Sequence, residues 1–115
     1  MAAQLRIVNL EDGMPSLEQA RGRLGTELQR SRAARDFGLK IIHGYGSTGV
    51  GGTLRVGLGA TLMKLKRDGQ LRHVIFGENW RASDADAWAV VKQHPALKQD
   101  CDWGRGNRGI TIVLF

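Results

Sequence analysis

The chain has 115 residues, with 17 Lys and Arg against 11 Asp and Glu, a net charge of +6 and 42% hydrophobic residues. That length suits one domain, residues 1–115, burying about two-thirds of its unfolded surface; the composition argues against disorder, and no stretch nears the roughly 20 apolar residues of a membrane span. Met1 to Asn9 lacks the apolar segment of a secretory signal, and the lone Cys101 excludes an intrachain disulfide and a multi-cysteine zinc site, so a reducing, cytoplasmic setting is expected, with no membrane and with an anionic partner for the basic charge.

Leu5 to Leu10 is rich in branched apolar residues and predicts a strand, ended by the turn residues Asp12-Gly13-Met14-Pro15. Ser16 with Gln19 forms a capping box, and Leu17, Ala20, Leu24 and Leu28 make an apolar helical stripe. Gly22 and Gly25 weaken this helix, five arginines make it basic, and Gly38 suits its left-handed cap. Leu39 to His43 predicts a second strand. After the glycine-rich stretch, Leu54, Leu58, Thr61, Leu62 and Leu65 share a helical face that ends at Asp68-Gly69. Arg72 to Phe76 predicts a third strand. Ser83 with Asp86 predicts the start of a helix, with Trp88 and Val91 on its apolar side. Residues 98–109 are polar and irregular, and Ile110 to Phe115 predicts a buried final strand. Alternation of strands and helices implies an α/β fold with helices packed on a sheet.

Residues 44–52 hold five glycines: Gly44, Gly46, Gly49, Gly51 and Gly52. A strand, a glycine loop and a helix form a device for binding anions, because glycine lets the backbone approach a ligand and the helix start offers free amides. Three readings compete. Gly44-Tyr45-Gly46-Ser47-Thr48-Gly49 matches the dinucleotide fingerprint G-x-G-x-x-G, with Glu78 past the next strand as the ribose acid, but such a fold needs two βαβαβ halves. Residues 46–53 have the outline of a phosphate loop, but Gly52 stands where lysine is required.

The third reading is a resemblance. Ile41-Ile42-His43-Gly44-Tyr45-Gly46, followed by Leu54-Arg55, resembles the H-G-x-G…L-R signature of Smr (small MutS-related) domains. The ending Asn107-Arg108-Gly109-Ile110-Thr111-Ile112-Val113-Leu114 is similar to that family's N-x-G-x-T-V-x-L. The resemblance covers nearly the whole chain. It implies a two-layer α/β sandwich with a mixed four-stranded sheet, similar to the C-terminal domain of translation initiation factor 3. It also implies nucleic-acid binding, with endonuclease activity in several members. The family's first-strand L-D-L-H-G is replaced here by Val8-Asn9-Leu10-Glu11-Asp12-Gly13, so Asn9 stands for the acid and Glu11 for the histidine. Binding therefore transfers more safely than cleavage.

Carried onto this chain, the expected nucleic-acid contacts are Lys40, His43, Gly44, Tyr45, Gly46, Ser47, Thr48, Gly49, Gly51, Gly52, Thr53 and Arg55, with Arg105 and Arg108 from the later basic strip. If strands are cleaved, His43 and Glu11 are the candidate acid–base pair, with Mg²⁺ or Mn²⁺ as the assisting ion. Glu78, Asp100 and Asp102 would have to converge to hold such an ion. Tyr45 could stack on a base, and Trp103 is expected either to do so or to anchor its loop to the core. His73 and His94 are expected to serve structure, and Trp88, Leu58 and Leu62 to lie in the core. A protein-interaction module remains the other class.

Overall fold

The computed structural model describes residues 4–45 and 50–115, the side chains of residues 50 and 51 excepted. Four strands, β1 (Leu5–Asn9), β2 (Gly38–Ile42), β3 (His73–Phe76) and β4 (Ile110–Leu114), form one sheet in the order β1-β2-β4-β3. β1 and β2 are parallel; β4 runs antiparallel to both of its neighbours. This is the mixed four-stranded α/β sheet that the resemblance implies. Its last strand in sequence is an inner one, and all five residues of β4 are buried, as a strand covered on both faces requires.

Alternation along the strands assigns the two faces. Val8, Leu39, Ile41, Val74 and Val113 point to the side covered by α1 (Leu17–Ala33) and α2 (Val50–Arg67), where Ala20, Leu24, Leu28, Leu54, Leu58 and Leu62 complete the main core. The sheet and this helix pair are the two layers of the sandwich. Ile75, Ile112 and Leu114 point the other way, to a second cluster with Trp80, Ala87, Val90 and Val91. There the segment between β3 and β4 lays α3 (Ala85–Gln93) over the inner strands. No helix among the described residues is long and apolar enough to cross a membrane.

Local chemistry sets the ends of these elements. Ser16 caps α1 through the full reciprocal box with Gln19. Its far end differs from expectation. The left-handed residue is Arg35, at φ 60°, and Asp36 then ties the turn to Ser31 and Arg6. Gly38 instead opens β2, where a Cβ would lie 2.1 Å from the Val113 carbonyl oxygen; only glycine lets the strands approach there. α3 starts one residue later than predicted, because the Asp84 carboxylate accepts the Ala87 amide. Trp88, expected in the core, is 40% exposed with the Lys98 ammonium 4.9 Å from its ring centroid. Trp80 takes the buried place.

Candidate functional site

The parallel strands β1 and β2 finish at the same end of the sheet, and the chain turns sharply after each. Beyond β1, the Asn9 side-chain oxygen accepts the amides of Glu11 and Asp12 at 3.0 and 3.1 Å, which leaves Glu11 exposed on the turn. Beyond β2, the amides of His43 and Gly44 both donate to the Gly109 carbonyl, at 2.9 and 3.0 Å, and Gly44 adopts a φ of 72°. Gly109 is itself held by Asn107, whose side-chain oxygen accepts its amide at 2.8 Å. Beyond β3, Glu78 pairs with Arg55 from the second turn of α2. Glu11, His43, Arg55 and Glu78 are near enough for the three charged groups to act on the histidine.

His43 is 1% exposed. Its Nδ1 lies 2.6 Å from the Gly44 carbonyl oxygen, so Nδ1 carries the proton and donates; Nε2 then accepts from the Thr111 hydroxyl at 2.9 Å. Burial pushes the histidine below its ordinary value and outweighs the Gly44 carbonyl, which favours the charged form. The ring is therefore neutral and committed on both nitrogens. The phosphate donor or proton shuttle expected from sequence is replaced by a structural latch between β2 and β4.

Lys40 is also not the phosphate contact expected of it. It lies on the α3 side of β2, with its side chain 4% exposed and its ammonium 2.6 Å from Asp102 and 2.9 Å from Asp100. Burial disfavours its charge, but the two carboxylates outweigh this and raise its pKa. Burial likewise works against the charge on Asp102, yet hydrogen bonds from Lys40 and Asn107 hold it below the usual carboxylate range. Trp80 donates its indole N–H to Asp100 at 3.1 Å, and Trp103 stacks edge-on against Trp80. Trp103 thus anchors its loop.

Asp100 and Asp102 do converge, around an ammonium rather than a metal ion, and Glu78 is engaged by Arg55. Among the described residues no three His, Cys, Asp or Glu side chains gather to hold a metal. Gly46, Ser47, Thr48 and Gly49 lie outside the described residues. Gly51, Gly52 and Thr53 fall in the first turn of α2, which carries no acidic side chain. Tyr45 is 61% exposed, and Arg105 and Arg108 are exposed as well. Tyr45, Gly106, Asn107 and Arg108 line a cleft of about 400 Å³. A groove of about 820 Å³ runs elsewhere, between the open edge of β1 and α1, and holds none of the predicted site residues.

Neither protein-family models, nor curated proteins, nor solved structures match this chain. The geometry alone therefore bears on its function. Sequence reading missed Trp80 and the role of Thr111. The signal for the second was present: Thr111 is the one polar residue of β4, and alternation puts it on the same face as Val113.

Proposed function

We propose that the chain is an Smr-like module that binds the phosphates of nucleic acid at the sheet end where β1 and β2 finish. One observation carries this reading. The two segments on which the family resemblance rests, at 43–46 and 107–114, are far apart in sequence yet joined directly. Gly109 accepts the His43 and Gly44 amides, and Thr111 engages the His43 ring. Around that junction lie Arg55, Tyr45 and Arg108, in a chain of net charge +6. Contacts of this kind give affinity without reading sequence, and the arrangement supports binding rather than strand cleavage. A cytoplasmic setting fits the single thiol. The described sheet is mixed, with one parallel pair, and so lacks the two parallel halves that a dinucleotide fold would need.

The test is binding of a fluorescent oligonucleotide as salt is raised, with and without Mg²⁺. Affinity should fall linearly on logarithmic axes, by about 0.9 in slope for each duplex phosphate contacted. Arg108→Ala should lower the slope by about one. An affinity that does not respond to salt overturns the proposal.

A further inference from the structure

The cleft beside the junction has features that phosphate binding leaves unused. One wall is Tyr45, an aromatic side chain 61% exposed on a turn whose backbone is pinned through Gly44 to Gly109. The rest is Gly106, Asn107 and Arg108, enclosing about 400 Å³. Gly106 brings no side chain into the cleft, and nothing lies within 4 Å of a Cβ built there. Asn107 is held in place, its amide nitrogen donating to Asp102 and its oxygen accepting from Gly109, so it forms a fixed wall. An exposed aromatic face, an open cleft of this size and an arginine at its margin fit a flat π-system joined to a phosphate.

We propose that this cleft takes one unpaired nucleobase, stacked on Tyr45 with a neighbouring phosphate on Arg108, and that the protein therefore prefers single-stranded to duplex nucleic acid. This rests on the function proposed above and adds the strand state. A paired base has both faces covered within its helix, whereas an unpaired one can offer a face to an aromatic ring, and such stacking tolerates every base.

The experiment compares single strands and duplexes of equal length, DNA and RNA, each carrying 2-aminopurine, on the wild type, Tyr45→Ala and Tyr45→Phe. The wild type should bind single strands about tenfold more tightly and quench the 2-aminopurine fluorescence by stacking. Tyr45→Ala should lose that preference and the quenching, and Tyr45→Phe should retain both. The side chain is exposed, so all three proteins should melt at the same temperature. Equal binding of both strand states by the wild type, or unchanged single-strand binding and quenching in Tyr45→Ala, overturns this inference while salt-sensitive binding leaves the proposed function standing. If no strand of either kind is bound at low salt, both fall together.

Discussion

Lys40 sits in the run Leu39-Lys40-Ile41-Ile42, which reads as a buried strand with one charge in it. Its two carboxylate partners lie 60 and 62 positions along the chain, and that separation hides the contact from any local pattern. A buried ion pair is costly to break from one side, since the remaining charges lose their partner in a poorly solvated place. Lys40→Met should therefore destabilise the fold by about 3–5 kcal/mol in urea unfolding. Adding Asp100→Asn and Asp102→Asn should restore part of the loss, because the stranded charges go with them. His43 gives a second expectation at this scale. Its folded-state pKa is depressed, so below about pH 6.5 the unfolded chain takes up a proton that the folded chain refuses. Its contribution is whole above that value and shrinks as pH falls toward the folded pKa. Urea midpoints at pH 7.5 and 5.0 should separate more for the wild type than for His43→Asn. Equal separation would mean that the ring is open to protonation in the fold. Asp36 and Asp102, whose pKa values are lowered, add a further loss only below about pH 4.

At the scale of elements, the glycines of the helices serve two different ends. Gly22 and Gly25 of α1 face open space, with nothing within 4 Å of an added Cβ, whereas a Cβ on Gly57 of α2 would come 2.4 Å from the Leu17 side chain. Alanine at either α1 position should stabilise the protein by about 0.5–1 kcal/mol through helix propensity. Gly57→Ala should destabilise it, by about 1–3 kcal/mol, because Leu17 is wedged over that position. Thermal melts of the three variants would show opposite signs. Most elements were legible in the sequence because each announces itself locally: the Ser16 box, the stripe Leu54-Leu58-Leu62, the branched run of β4. The errors came where a local signal had a rival. Gly38 looked like a helix cap, but its lack of a side chain is needed for strand contact, and Arg35 took the left-handed turn. Ser83 and Asp84 are both able caps, and the carboxylate prevailed.

For the molecule as a whole, the fold class follows from element order, whereas the site does not. Strand alternation placed the glycine stretch at a sheet end, but nothing local said that β4 would insert beside β2 and bring Asn107, Gly109 and Thr111 to His43. Nor did any pattern reveal that Lys40 of β2 and His43 just beyond it, the two most reactive-looking groups there, would be turned inward. Among the described residues Glu11, Tyr45, Arg108 and part of Arg55 face outward at that end, residues that sequence could name but not rank.

The position of β4 also governs how the chain can assemble. Until Ile110–Leu114 has been synthesised, β2 and β3 share no neighbour, and the growing chain holds only a β1-α1-β2 unit and a strand with nothing to join. The inner edges of β2 and β3 therefore find their partner only when those five residues arrive, and the four-stranded sheet is completed by the strand made last of the four.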